Sequence, residues 1–392
     1  MINLVSKKNL VIGIDASRNR SGGAKEHLLG ILSHLDPARY GISAIHLWSH
    51  QTLLEVIPNH PWLIKHPVAA LNQSLFAQLW WQATALAKAL RAEGCDLLFT
   101  SDASSLCRFN PAVVLSQDLL AYEPGVMHLF GISKARLRLE LIKIVQNENF
   151  RRARGVIFLT HYAAKLIQAS CGKLANIKIV NHGVARDFQE AQVMRTWPEN
   201  SERPIDCLYI SNAALYKYQW VVIKAISLLR KRGYDLRLRL IGGGSGLAQK
   251  KIDQQLAIDD PHHQWTQQLG FVPHDQLLPH FISADCFIFA SGCEAFGITL
   301  LEAMAVGLPI AASSRSSIAE TLADGGVYFD PANAQSIVSA LEKIILEAPL
   351  RERLTSRAKV LARNYSWQAC AEETWQFIID TYHHSSNQNP QA

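Results

Sequence analysis

Two carboxylates spaced for joint work, Glu294 and Glu302, bracket the stretch Ala295-Phe296-Gly297-Ile298-Thr299. Residues 285–290 ahead of them are apolar and aromatic, as suits a buried parallel strand. Residues 298–306 have helical composition and stop at Gly307 and Pro309. A strand, a glycine bend and a helix aim the helix's unpaired N–H groups and positive dipole end beyond the strand's C-terminal edge, where a diphosphate would be cradled. Gly297 lets the backbone approach a ligand closely. Carboxylates repel phosphate; their natural partners are neutral hydroxyls, from which one carboxylate accepts in pairs. A polyhydroxylated group on each side of a diphosphate describes a nucleotide sugar. A plainer reading stays open at this point. Thr299 and Glu302 have the spacing of a capping box, and Glu294 can be a solvated loop carboxylate.

The run from Glu294 to Pro309, E-A-F-G-I-T-L-L-E-A-M-A-V-G-L-P, resembles the signature of glycosyltransferase family 4, also described as glycosyl transferases group 1, which are retaining enzymes of the GT-B fold. The resemblance implies an α/β protein of two Rossmann-like domains facing across a cleft. It places donor contacts at Glu294, Ala295, Phe296, Gly297, Ile298, Thr299 and Glu302, with Glu294 on the transferred sugar and Glu302 on the ribose. Asn212, Lys217 and Gly243 join the donor contacts from the second domain, and Gly22 and Gly23 from the first. Gln117 and Asp118 are implied acceptor contacts; Glu294, Lys217 and Asp118 are the implied catalytic residues. Two positions depart from the family pattern. Gln117 stands where relatives have His, and it can bond a hydroxyl but cannot accept a proton near neutral pH. Asn212 stands where an Arg is expected to clamp phosphate together with Lys217, a lysine contact contributing about 1.5–3 kcal/mol.

The rest of the chain supplies the elements that must carry these groups. A strand at 10–14, the loop with Gly22-Gly23 and a helix reaching 35 repeat the strand, glycine loop and helix arrangement, without the G-x-G-x-x-G of a nicotinamide site. Residues 71–92 have helical periodicity, and strands are expected at 96–100, 112–115, 156–160 and 177–180. Asn181-His182-Gly183-Val184 reads as a turn closing the first domain, with His182 structural. The polar stretch 185–204 reads as a linker. Strands at 206–210 and 236–241, the glycine run 242–246, a helical stretch at 334–363 and a last helix at 367–382 follow. The expected division is an acceptor domain at 1–196, a donor domain at 197–365, a helix at 366–383 that crosses back to brace the first domain, and a disordered tail at 384–392.

At 392 residues, 48% of them hydrophobic, the chain is long enough for two full cores. Seven cysteines, odd in number and without a C-x-x-C pair, argue for a reducing cytoplasm and against a zinc or disulfide framework. The apolar run at 10–14 is too short for a signal-peptide core, and no stretch is long and apolar enough to span a membrane. Residues 1–196 hold 22 Lys and Arg against 13 Asp and Glu, a charge of +9, while 197–392 hold 17 against 20, a charge of −3. The basic residues of 133–154 are interleaved with Leu and Ile, which fits either a solvated helix face or an anionic lipid surface.

The resemblance implies transfer of a sugar, with retention, from a nucleotide-sugar donor to a saccharide or lipid-linked acceptor in bacterial envelope polysaccharide assembly. No cofactor and no metal are expected: the resemblance implies a fold whose members do not need a metal, and the absence of Asp-x-Asp agrees with it. The expected place is the cytoplasm or the inner face of its membrane, without nucleic acid. Two rivals remain: a sugar-nucleotide epimerase of the same fold, and an inactive binding subunit suggested by Gln117 and Asn212.

Overall fold

The computed structural model describes residues 9–20, 22–191, 196–198 and 203–387. Among these, thirteen strands form two sheets in which every pairing is parallel. The first sheet contains β1 (Leu10–Asp15), β2 (Ile42–Ser49), β3 (Leu63–Pro67), β4 (Leu97–Thr100), β5 (Ala112–Ser116), β6 (Gly155–Phe158) and β7 (Ile177–Ile179), in the order β3-β2-β1-β4-β5-β6-β7. The second contains β8 (Ile205–Ile210), β9 (Leu236–Ile241), β10 (Thr266–Gln268), β11 (Cys286–Phe289), β12 (Ile310–Ser313) and β13 (Val327–Phe329), in the order β10-β9-β8-β11-β12-β13. Both orders reverse direction after their first strand, between β1 and β4 and between β8 and β11. Such reversals are the switch points at which open parallel sheets bind ligands, beyond the strands' C-terminal ends. The expected α/β class with two Rossmann-like domains is what the chain adopts.

The described residues divide into two compact units, one from Met1–Tyr122, Lys134–Gly183 and Trp367–Ala392, the other from Glu123–Ser133 and Val184–Ser366. The boundary thus lies earlier than the expected 196, and 123–133 also sits with the second unit. Packing explains both shifts. Leu129 lies against the second core, and Phe188, on the short helix Arg186–Glu190, meets Phe281 edge to face at 5.5 Å. Part of the expected linker is therefore a packed helix, while 192–195 and 199–202 lie outside the described residues.

Three further differences have local causes. β2 and β3 were not anticipated, because polar residues such as His46, Lys65 and His66 interrupt their apolar runs. The periodic stretch 71–92 is a 3-10 turn at Ala69–Asn72, a helix at Leu75–Trp81, a π turn at Gln82–Leu86 and a helix at Ala87–Ala92. The stretch 334–363 breaks at Glu347, where Pro349 starts a new helix, giving Ala334–Leu346 and Ala348–Ala362.

The last helix, Trp367–Asn387, groups with the first unit. Trp375 is fully buried and its indole N–H donates to the Ile31 carbonyl at 2.8 Å. Gly30 lies beneath Trp367, where a Cβ would sit 2.3 Å from the ring. The helix includes 384–387, which were expected in the tail; 388–392 lie outside the described residues.

Candidate active site

In the second unit, the β8–β11 switch point is built from two loops tied together. The Gly292 N–H donates to the Tyr216 carbonyl at 2.6 Å, so the turn after β11 and the Leu215–Lys217 turn after β8 keep one register. Lys217 Nζ and Glu294 Oε1 form an ion pair across that join, with side chains 14% and 15% exposed. Lys217 Nζ also lies over the Tyr216 and Phe289 rings, 5.5 and 5.7 Å from their centroids, which holds the ammonium where the ion pair needs it. The Glu294 backbone is pinned as well. Its N–H donates to Ser316 Oγ at 2.9 Å, and its carbonyl accepts from Ser317 Oγ at 2.8 Å. Ser316 Oγ donates in turn to Glu123 Oε2 at 2.7 Å.

The helix Ile298–Val306 starts at Gly297, whose φ of 95° lies in the left-handed region and whose N-cap position carries no side-chain hydrogen bond. The first-turn amides therefore face the switch point without a capping side chain. This overturns the capping-box reading. Thr299 is already inside the helix, and the Glu302 carboxylate, 2% exposed, meets His274 Nε2 at 2.5 Å instead. His274 stacks on Phe188, with centroids 6.0 Å apart and planes at 22°. Behind the loop, Phe188, Phe281, Phe287 and Phe289 form a ladder of rings 5.5–6.1 Å apart, a rigid apolar floor under the polar groups.

Asn212 and Gly243 close the third side. The Ala213 N–H donates to the Gly243 carbonyl at 3.2 Å, and a Cβ on Gly242 would lie 2.4 Å from the Ser211 carbonyl oxygen. Asn212 itself is exposed. Within this unit the structure thus brings Lys217 and Glu294 into contact, sets Ala295–Thr299 between Glu294 and Glu302, and joins the Asn212 loop to Gly243.

In the first unit, Gly22 and Gly23 open the helix Gly22–Ser33 beyond β1. Gln117 and Asp118 follow β5. Neither amide atom of Gln117 has a hydrogen-bond partner among the described residues, while Asp118 Oδ1 accepts from the Leu120 N–H at 2.8 Å. The β1–β4 switch point is filled by its own polar side chains. Asp15 is fully buried and accepts from the Ser17 N–H at 3.1 Å, the Ser105 hydroxyl at 2.9 Å and the Gln82 amide at 3.2 Å. Burial pushes the Asp15 carboxyl above the ordinary range, and the nearby Asp102 adds to the shift. His182, expected to be structural, is buried: its Nδ1 is 3.0 Å from His27 Nδ1, and both rings pack edgewise or tilted against Trp367. Burial holds the His27 imidazole down at about 3 and His182 well below its ordinary value, with His27 contributing to the latter.

His274, Ser316, Ser317 and Glu123 were not singled out in the sequence. His274 sits in the run Gly270-Phe-Val-Pro-His274, which carries no recognisable spacing to Glu302. Ser316 takes a left-handed φ of 62°, a backbone choice its residue type does not announce.

Residues 194–361, less than half of the chain, match the family model described as Glycosyl transferases group 1. The O-antigen chain mannosyltransferase B of Escherichia coli is 32% identical over 110 residues, covering 28% of this chain and 29% of that protein. The chain spans less than half the length of the curated relatives it matches. Solved structures are similar over nearly all of it. A sucrose-phosphate synthase from Thermosynechococcus elongatus superposes with a TM-score of 0.77 at 18% identity, covering 96% of this chain and 100% of that one. Anabaena Alr3699/HepE in complex with UDP-glucose gives 0.69 at 19% identity, covering 96% and 100%. The chain therefore has the two-unit fold of these solved structures, and its segment 194–361 is similar in sequence to glycosyl transferases group 1.

Proposed function

We propose that the protein is a glycosyltransferase that moves a sugar, as a hexosyl group, from a nucleotide-sugar donor to a saccharide or lipid-linked acceptor. The observation that carries this reading is the Lys217–Glu294 pair at the mouth of an uncapped helix whose next turn presents Glu302. In this reading Glu294 accepts hydrogen bonds from the transferred sugar and Glu302, steadied by His274, from the ribose. The amides of Ala295 to Thr299 and Lys217 hold the diphosphate. Negative charge grows on that diphosphate as the glycosidic bond breaks, so a lysine and a helix N-terminus directed at it lower the barrier. The solved relative with UDP-glucose bound supports a nucleotide sugar as the donor.

Retention of configuration, independence of metal and a role in envelope polysaccharide assembly belong to the same proposal, supported by the family 4 signature and the O-antigen relative. Gln117 and Asp118 are assigned to the acceptor side, where the unpartnered Gln117 amide is suited to a hydroxyl. Contact with the inner face of a membrane is assigned to the helix Lys134–Arg152. Its Leu137, Leu141 and Ile144 are 63%, 55% and 65% exposed, one helical stripe flanked by Lys134 and Arg138. No helix among the described residues is long and apolar enough to cross a membrane.

The test is incubation of the full chain with UDP-, GDP- and ADP-sugars, with and without lipid-linked saccharides, following nucleoside diphosphate release and the product's anomeric configuration. Acceptor-dependent release with a retained anomer is expected. Conversion of the donor to its epimer without acceptor would identify the rival enzyme, and no turnover of any donor would favour the inactive subunit; either contradicts the proposal.

A further inference from the structure

Away from the groups assigned to sugar transfer, the first unit gathers two imidazoles and a carboxylate at the edge of its sheet. His46 on β2 and His66 on β3 lie on one face, because His66 pairs with Trp48, two residues along from His46. Glu93, at the C-terminal end of the helix Ala87–Ala92, reaches the same point. His46 Nδ1 is 2.9 Å from His66 Nε2 and 3.5 Å from Glu93 Oε2, and one ligand atom from each residue falls within 4.8 Å of the others.

We propose that His46 Nδ1, His66 Nε2 and Glu93 form a binding site for a divalent transition metal, with Zn²⁺ the ion their chemistry fits and water as the fourth ligand. Two imidazoles and a carboxylate with an open fourth position form a recurrent zinc ligand set. Bonds of about 2.0–2.2 Å in a tetrahedron put neighbouring ligand atoms roughly 3.4 Å apart, so the two imidazoles need to separate by about half an ångström, while Glu93 already stands at that spacing from His46. The rings are already fixed in direction. Trp48 stacks on His66 at 4.6 Å and 11°, and on His46 at 5.9 Å and 23°.

Two further observations favour a cation over a simple hydrogen-bonded trio. A carboxylate at a helix C-terminus opposes the helix dipole, and a cation beside it removes that conflict. Access is graded as well: His46 is the buried ligand, with a side chain 7% exposed, whereas Glu93 is 42% exposed and open to incoming solvent ions. On binding, the ring that donates the hydrogen between His46 Nδ1 and His66 Nε2 shifts that proton to its own other nitrogen, so that both contact nitrogens offer a lone pair to the ion. The ion would join two strands and a helix end of one unit, a stabilising role rather than a part in sugar transfer.

The test uses the untagged full chain, stripped of metal and titrated with Co²⁺ alone, then with Zn²⁺ in competition. One equivalent of Co²⁺ with the visible absorption of a tetrahedral site, displaced by Zn²⁺, and a melting temperature that rises with Zn²⁺ concentration are expected. Glu93→Gln, a surface change that leaves the core intact, should weaken binding and alter the band, and His66→Asn should abolish it. Absence of stoichiometric binding, or an unchanged band and affinity in Glu93→Gln, overturns the site and leaves the trio a hydrogen-bonded cluster.

Discussion

The two switch points occupy equivalent places in sheets of the same order, yet their polar residues are used in opposite ways. At β1–β4 the side chains satisfy one another: Gln82 Nε2 reaches Asp15, Ser17 and Asp102 at 3.0–3.4 Å, and Asp15 is sealed from solvent. At β8–β11, among the described residues, Lys217 and Glu294 form an ion pair beside a helix whose N-cap position, Gly297, makes no side-chain hydrogen bond. A phosphate can take the place of Glu294 as the partner of Lys217, whereas nothing can enter the first cluster without breaking buried hydrogen bonds, each costing about 1–3 kcal/mol when left unmade. On the proposed reading the same sheet edge is a ligand site in one unit and a polar strut in the other, and the side chains decide which.

Substitutions can break this contrast. The largest effect is expected from Glu294→Gln, which keeps shape but removes the charge; turnover should fall roughly 100-fold with the unfolding midpoint little changed. Gln82→Ala should do the reverse in kind. It strips a donor from three buried acceptors, and urea denaturation should show a loss of about 1–3 kcal/mol. If Glu294→Gln destabilised the chain as much as Gln82→Ala, the distinction between site and strut would be lost. A smaller effect belongs to Glu302→Gln, expected to weaken donor binding about tenfold by calorimetry, with His274→Gln weaker in effect because it retains a donor for the carboxylate. Unchanged donor affinity in Glu302→Gln would return Glu302 to a purely structural role.

The smallest effect is one of pH. Asp15 holds its proton longer in the folded chain than in the unfolded one, so its contribution to stability declines as pH rises from the ordinary value of 3.8 through the raised folded value. Asp15→Asn should remove that decline, and unfolding midpoints measured across the interval check it. Parallel profiles for both chains would show that the Asp15 charge costs nothing where it is buried.

The sequence made one of these two regions legible and hid the other, for physical reasons. Glu294, Gly297 and Glu302 lie in one contiguous run, where the residue types dictate bend, helix and exposed amides in order. The Asp15 cluster draws on residues 15, 17, 82, 102 and 105, brought together only by the sheet. Gln82 was hidden further by its π turn, whose extra residue per turn shifts the apolar period read across 71–92. His274 escaped because its pairing with Glu302 depends on Phe188, from a stretch whose polarity suggested a linker. Strands β1, β4, β5, β6, β8, β9 and β11 were plain from apolar runs, whereas β2 and β3 carry the histidines of the proposed ion site and lacked that signal.

The most direct test of the donor-site assignment is calorimetric titration of UDP, GDP and ADP into the full chain and into its Lys217→Ala variant. At least one nucleoside diphosphate should bind the wild-type chain, and the variant should bind it about tenfold or more weakly, as loss of a charge-assisted contact of about 1.5–3 kcal/mol requires. Equal affinity in the two chains, or no binding of any of the three, would contradict the account.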